Sequence, residues 1–213
     1  MSLHMPYERP GVSRASSPFE LRHASTHRPL LVVVPSRRLL AIHGAGPREA
    51  ADFRLATTIL RTVSEEVRAK LLRVRRSESV RSVLEVTWPI EPGLTVDEIV
   101  ELMSGPTPLW RQMLELPPIA TESMALEAIN QTRRREGRAF PLVRLIEVTE
   151  GPAVQILHLG SDDLLASIRK LYGYAAESAF QTRDHLHELV IADSHAVGVP
   201  RARSILRVPI TYG

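Results

Sequence analysis

The chain has 213 residues, 44% of them hydrophobic, and no cysteine, which excludes a disulfide scaffold, a thiolate zinc site and a cysteine nucleophile. Its net charge is +3, and all but two of its 27 basic residues are arginines. The densest basic group, at residues 68–76, ends a predicted helix, where cations suit the helix dipole, so it does not predict a nucleic-acid surface. No apolar run reaches the roughly 20 residues that cross a bilayer, and the N-terminus has no apolar signal core. We therefore predict a cytoplasmic protein that by itself binds neither nucleic acid nor a membrane.

Residues 1–28 are polar and contain several prolines and serines, which predicts a flexible N-terminal tail. Residues 29–213 are predicted to form the folded part of the chain. The order of predicted elements divides this part into two halves, at about residues 29–137 and 138–213.

The first half alternates strand and helix signals. Apolar or alternating runs predict strands at residues 30–34, 38–43, 80–88 and 109–116. Apolar residues that recur at three and four positions predict a long helix after Pro47 and shorter helices after Thr95 and Thr121. Thr95 and Glu98 have the spacing of a capping box. The glycines at residues 44 and 46 lack the third glycine of a dinucleotide fingerprint and predict only a turn.

The second half repeats the same order. Strands are predicted at residues 142–148, 152–159, 185–192 and 203–210, and a helix begins after Ser161, which we expect to be its N-cap. Each half therefore contains an extended segment, a helix and two strands. This order predicts the α+β class.

Glu188 is the most informative polar residue of the predicted strands. Strand alternation puts Glu188 and Val190 on one face, and the apolar Leu189 and Ile191 on the other, which we expect to lie under the helices. A buried, unpaired carboxylate is costly, so Glu188 needs a partner. Two interpretations stay open: Glu188 serves a ligand or a reacting proton, or it pairs with an arginine across the sheet, Arg207 or Arg203.

Four other positions are candidates for a site. His158 is either a core histidine or a pocket donor, and Trp88 and Trp110 either pack in the core or stack on a planar ligand. His185 and His187 could ligate zinc, but no third ligand is evident on their face. We therefore predict no metal and no cofactor.

Several segments resemble the GyrI-like small-molecule-binding family. The segments VQILHLG (residues 154–160), LHELVIAD (186–193) and RSILRVPI (203–210) have the order and spacing of that family. In the first half, residues 30–46, 88–94 and 110–117 resemble its stand-alone branch.

The resemblance implies one antiparallel sheet built from two strand–helix–strand–strand modules, with the helices on one face and a central ligand groove. It implies that Glu188 is the pocket glutamate. Family members bind hydrophobic, often aromatic or cationic compounds; some are effector domains of multidrug-sensing regulators, and some stand-alone members resemble hydrolases that open the cyclopropane ring of DNA-alkylating natural products. We expect this chain not to be a regulator itself, because no helix-turn-helix region adjoins the domain.

Three tyrosines that are common in the family are missing here. Ser161 and its neighbours follow Gly160 without a tyrosine, Val190 stands two residues after Glu188, and Trp88 stands where a tyrosine hydroxyl is common. These losses remove candidate acids and disfavour catalysis more than binding.

The first functional hypothesis is a pocket for a small organic ligand, lined by Glu188, Trp88, Trp110, His158 and Val190. The second is a detoxifying hydrolase in which Glu188 is the general base and His158 polarises a carbonyl of the substrate. The third is a gyrase-inhibitor-like module that binds a protein through a sheet edge or the basic helix end. Homodimer formation is left open.

Overall fold

The computed structural model of the chain describes residues 27–75, 82–91, 93–137, 140–160, 163–183, 185–192 and 203–212. The predicted N-terminal tail lies almost wholly outside these residues. Within them are nine strands: β1 (Leu30–Val34), β2 (Arg37–Ala45), β3 (Leu84–Trp88), β4 (Leu109–Glu115), β5 (Arg144–Val148), β6 (Gly151–Leu159), β7 (Phe180–Thr182), β8 (Leu186–Ala192) and β9 (Arg203–Tyr212). The four helices are α1 (Ala51–Arg75), α2 (Val96–Ser104), α3 (Glu122–Glu136) and α4 (Leu164–Glu177). Only the short β7 has no counterpart among the predicted elements.

The strands form one antiparallel sheet in the order β1-β6-β9-β8-β3-β4-β2-β5, and β7 pairs with β9. Two modules of the same topology make up most of it, β2-α1-β3-β4 and β6-α4-β8-β9. They meet where β3 pairs with β8, with Val86 opposite Glu188. The predicted α+β fold with two strand–helix–strand–strand modules is confirmed.

The two outer strands are exchanged between the modules. β1, the first strand of the chain, pairs with β6 of the second module. β5, which follows the midpoint of the chain, pairs with β2 of the first module. The sheet therefore does not follow a division of the chain near residue 137, and each module is extended by a strand from the other half.

The helices form a layer on one face of the sheet, as predicted. α1 packs on β2 and β4, and α3 packs on α1; α4 packs on β6, β7 and β9, and α2 packs on α4. The main core lies between this layer and the sheet, and its buried residues include Leu40, Ile42, Leu60, Val63, Val86, Ile156, Ile168 and Leu171. The central strands β3 and β8 run between α1 and α4, where the modules meet.

The helix N-termini explain where α2 and α4 begin. Thr95 and Glu98 form the predicted capping box of α2. The predicted cap of α4 was wrong: Asp163, not Ser161, is the N-cap, and its carboxylate accepts a hydrogen bond of 3.0 Å from the backbone N–H of Leu165. Ser161 lies outside the described residues. No helix in the described part of the chain is long and apolar enough to span a membrane.

Candidate ligand site

Glu188 lies at the centre of the sheet, on the face that carries the helices. Its neighbours across β3 and β9 are Val86 and Leu206, which both belong to the main core. The prediction that Leu189 and Ile191 lie under the helices was therefore wrong. Strand alternation correctly grouped Glu188 with Val190, but it assigned this group to the wrong side of the sheet.

Glu188 forms an ion pair with Arg48, a residue of the loop between β2 and α1. Oε2 of Glu188 accepts a hydrogen bond from Nη2 of Arg48, which is 140 residues away in the chain. The Glu188 side chain is only 12% exposed, whereas that of Arg48 is 37% exposed. The carboxylate thus lies inside the fold, and its cation reaches it from the solvent side. Neither Arg207 nor Arg203, the expected partners, makes this contact.

Aromatic rings surround the Arg48 guanidinium. Its Cζ lies 4.9 Å from the ring centroid of Trp88 and 6.0 Å from that of Phe53. Phe53 in turn packs edge-to-face on Trp110, with ring centroids 5.1 Å apart. Trp88 therefore contacts the charged pair directly, while Trp110 lies one layer behind Phe53. Both tryptophans are buried.

The loop that carries Arg48 is anchored by Trp110. Nε1 of Trp110 donates a 3.0 Å hydrogen bond to the carbonyl of Gly46, and the N–H of Gly46 donates a 2.9 Å bond to the carbonyl of Pro108. Gly46 has φ +109, a conformation that favours glycine. Gly44 lies opposite Trp110 in the sheet, where a Cβ atom would overlap the indole ring. The two glycines thus let the indole lie across β2 and hold the loop.

Val190 and His158 differ in their distance from Glu188. Val190 is half-buried on the same face, next to the main core. His158 lies two strands away on β6, opposite Ser204, and its Nδ1 is 3.0 Å from Oγ of Ser167 on α4. The spacing of strands and residues puts it roughly 12 Å from Glu188. The structure therefore brings together Glu188, Trp88, Val190 and Arg48, and keeps His158 apart.

The opposite face of the same strands carries a buried network of charges. Nδ1 of His187 donates a hydrogen bond to Glu85, since a carboxylate can only accept. Arg37 pairs with Glu85 at 3.0 Å and also with Glu150, and Nε of Arg207 pairs with Glu150 at 2.7 Å. All five residues are buried. This network, rather than the helix layer, lies on the side of β8 that carries Leu189.

Glu85 is held in its charged form within this network. Burial by itself raises the pKa of its carboxyl group, but the charge of Arg37, the hydrogen bond from His187 and the charge of Arg207 outweigh burial. The pKa of Glu85 consequently lies well below its ordinary value. The two arginines balance the charges of Glu85 and Glu150.

Three side chains of this network are close enough together to be considered as metal ligands. One ligand atom each from Glu85, Glu150 and His187 lies within 4.8 Å of the others. A divalent cation would have to compete with the guanidinium groups of Arg37 and Arg207, which already bind the two carboxylates. The donor set thus suits an internal ion network better than a metal centre.

A cavity of about 580 Å³ opens where β3 ends, directly after Trp88. Its lining is largely apolar and includes Pro89, Ile90, Leu102 and Leu109, together with two carboxylates and His185. Glu188 does not line it. Its volume is in the range of pockets that enclose drug-sized ligands.

Comparison with known proteins identifies the fold. No family model matches the chain, and no curated protein matches its sequence. An uncharacterized conserved protein from Listeria innocua is similar in structure, with a TM-score of 0.74 and 19% identity over 90% of this chain and 96% of the other. A hydrolase from Listeria innocua has a TM-score of 0.69 and 18% identity over 91% and 96% of the two chains. The C-terminal domain of EcmrR has a TM-score of 0.51 and 9% identity over 87% and 98%. At these identities the similarity identifies the fold alone.

Two residues of the site were missed by the sequence interpretation. Arg48 is one of 27 basic residues, and it precedes a helix, where a cation is not favoured. Phe53 belongs to the apolar stripe of α1 and is indistinguishable from core residues. No signal in the sequence connects either one to Glu188.

Proposed function

We propose that this protein is a GyrI-like small-molecule-binding protein whose ligands contain an aromatic ring and bind over the centre of the sheet, beside Glu188. One observation carries the proposal: a mostly buried carboxylate and an indole together hold the guanidinium of Arg48, whose side chain remains more than a third exposed. A core ion pair would be closed to solvent, whereas this one is open on one side.

We call the proposed binding surface over β3 and β8, beside Glu188, the groove, and its chemistry suits such a ligand. Val190 provides partly exposed apolar surface beside Glu188, the buried ring of Trp88 lies against Arg48, and the charged pair can fix the orientation of a polar group on the ligand. Contacts between a cation and an aromatic ring contribute about 0.5–1 kcal/mol at exposed sites and more when desolvated. The apolar cavity that begins at Pro89, the residue after Trp88, has a volume that suits a drug-sized molecule.

Calorimetric titration with two planar tricyclic compounds, neutral acridone and cationic N-methylacridinium, tests the proposal. We expect saturable binding of at least one of them with one site per chain. Glu188→Gln should weaken the tighter interaction about fivefold or more, which corresponds to about 1 kcal/mol, because Arg48 loses the charged partner that holds it beside the ligand. Glu127→Gln, which alters an exposed glutamate paired with Lys70, is the matched control and should leave binding unchanged. If neither compound binds, the proposal is wrong.

Hydrolysis is a second candidate function, favoured by the guanidinium group beside Glu188. A carboxylate can act as general base on water, and an adjacent cation can polarise a carbonyl or stabilise an anion that forms. Arg48 is better situated for this than His158, which lies roughly 12 Å from Glu188. Incubation with a cyclopropane-bearing alkylator, followed by mass spectrometry for a ring-opened product, tests this function. Equal turnover by the wild type and Glu188→Ala would exclude Glu188 as the base.

Sequestration of a toxin or drug, a gyrase-inhibitor-like interaction, homodimer formation and cytoplasmic location stay predictions from the sequence. The first would follow from tight binding of a toxic ligand. The second requires a protein partner and would leave Glu188 without a role.

A further inference from the structure

The groove beside Glu188 already contains a cation. The Arg48 guanidinium both pairs with the carboxylate and lies over the face of Trp88, with Phe53 on another side. These are the two interactions that a cationic aromatic ligand would seek in a site of this kind. Among the described residues, Glu188 forms one ion pair, and its partner is Arg48. The charge of the carboxylate is therefore balanced before any ligand arrives.

Hydrogen bonds hold the backbone that carries the Arg48 side chain in place. Arg48 follows Gly46 and Pro47 in a loop that Trp110 and Pro108 hold by hydrogen bonds of 3.0 and 2.9 Å. The N–H of Ala50 donates a further 2.9 Å bond to the carbonyl of Pro47. The backbone on both sides of Arg48 is thus tied down, and the guanidinium reaches the carboxylate from a defined point at the rim of the groove. A chance contact of a mobile surface arginine would lack these anchors.

The described contacts leave hydrogen-bond donors of Arg48 and Trp88 without acceptors. Nη2 of Arg48 binds Glu188, and a guanidinium has five N–H donors and no acceptor. The indole N–H of Trp88 is buried and meets no acceptor within the described part of the chain. A buried donor without an acceptor is unfavourable. A ligand that brings a carbonyl or similar acceptor could bind the remaining N–H donors of Arg48, whereas a permanent cation brings no acceptor and is repelled by the guanidinium charge.

From these observations we propose that Arg48 is an internal counter-ion that determines specificity. It makes the groove select neutral aromatic molecules carrying a hydrogen-bond acceptor, and it excludes permanent cations by occupying their position on Glu188 and Trp88. This inference rests on the proposed function and narrows its ligand class. It predicts that removing one side chain converts the groove into a cation site.

The experiment compares acridone and N-methylacridinium on the full chain, by fluorescence titration at neutral pH. The two probes share a planar three-ring framework; acridone has a carbonyl, and N-methylacridinium has a permanent charge. We expect the wild type to bind acridone at least tenfold more tightly. Arg48→Met keeps an unbranched side chain without the charge, and it should strengthen N-methylacridinium binding about tenfold and weaken acridone binding.

Two further variants identify the cause. In the double variant with Arg48→Met and Glu188→Gln, the gain in cation binding should disappear, because the unpaired carboxylate is its source. Arg54→Met removes an exposed arginine of the first turn of α1, and it should leave the preference of the wild type intact. A reversal by Arg54→Met equal to that by Arg48→Met would show a general charge effect and overturn the inference.

The failures of the inference and of the proposed function are distinguishable. If the wild type binds the cation as tightly as acridone, or if Arg48→Met leaves the ratio of affinities unchanged, the inference is wrong while the groove remains a ligand site. If neither probe binds the wild type, the proposed function is wrong and the inference falls with it. Arg48→Met leaves the mostly buried carboxylate of Glu188 without its cation and should lower the unfolding temperature, so the titrations are run well below the unfolding midpoint of each variant.

Discussion

The buried charge network offers the sharpest test of how this fold is held together. Replacement of Glu85 by glutamine keeps the shape of the side chain and removes its charge. Arg37 and Arg207 then have one fully buried carboxylate, Glu150, instead of two. Glu115 gives partial relief, because it lies 3.6 Å from Arg37, but its side chain is 18% exposed. The variant therefore leaves about one positive charge uncompensated inside the protein.

Breaking a buried ion pair by removing one partner costs about 3–5 kcal/mol. The contact with Glu115 favours the lower end, so we expect Glu85→Gln to lower the free energy of unfolding by about 3 kcal/mol. This is a large part of the 5–15 kcal/mol that stabilises a typical domain. Urea unfolding followed by circular dichroism measures the change, with Glu127→Gln, at an exposed pair, expected to cost less than about 1 kcal/mol.

The pH dependence provides a second measurement with a defined sign. The pKa of Glu85 is lowered in the folded protein, so its stabilising contribution is present above its ordinary pKa of 4.5 and is lost as the pH falls through the folded value. The difference in unfolding free energy between the wild type and Glu85→Gln should therefore be constant from about pH 7 to pH 5 and shrink in more acidic solution. A difference under about 1 kcal/mol at neutral pH, or one that grows on acidification, would refute this account of the network.

Two more substitutions test local features. Gly44→Ala should destabilise the protein by about 1–3 kcal/mol and shift its tryptophan fluorescence, because the new methyl group overlaps the ring of Trp110; a silent variant in urea unfolding would contradict the close approach. Thr95→Ala removes the side-chain acceptor for the N–H of Glu98 and should cost about 1 kcal/mol, whereas Thr95→Ser should retain most of it.

Secondary structure was predictable because its signals are local. The long apolar stripe of α1, the capping box of α2 and the alternating strands each depend on residues a few positions apart. The short β7 carries no such signal, since Phe180–Thr182 is half exposed and its partner lies far along the chain in β9. The exchange of β1 and β5 between the modules could not be predicted either, because no local pattern encodes the pairing of strands that are far apart in the sequence.

The orientation of β8 could not be predicted for a related reason. Alternation distinguishes the faces of a strand only when one face is exposed, but here Leu186 and His187 are both buried. Apolar Leu189 suggested a face under helices, whereas that face carries the ion network. The prediction that Arg207 pairs with Glu188 was wrong for the same reason. Leu206 lies opposite Glu188, so its neighbour Arg207 points to the other side of the sheet.

The two faces of β8 also explain why Glu188, rather than Glu85, is the candidate for ligand binding. His187 and Glu188 are adjacent and point to opposite sides. On one side the charges balance within a set of fully buried residues that links both modules through Arg37 and Arg207, and entry of a ligand there would require breaking several buried ion pairs. On the other side Arg48 is partly exposed and forms the single described ion pair of Glu188, so a ligand can contact this pair without breaking a network of buried charges. The buried ion network fixes the position of β8 whether or not Arg48 stays on Glu188. The contacts around Glu188 are therefore free to change when a ligand binds.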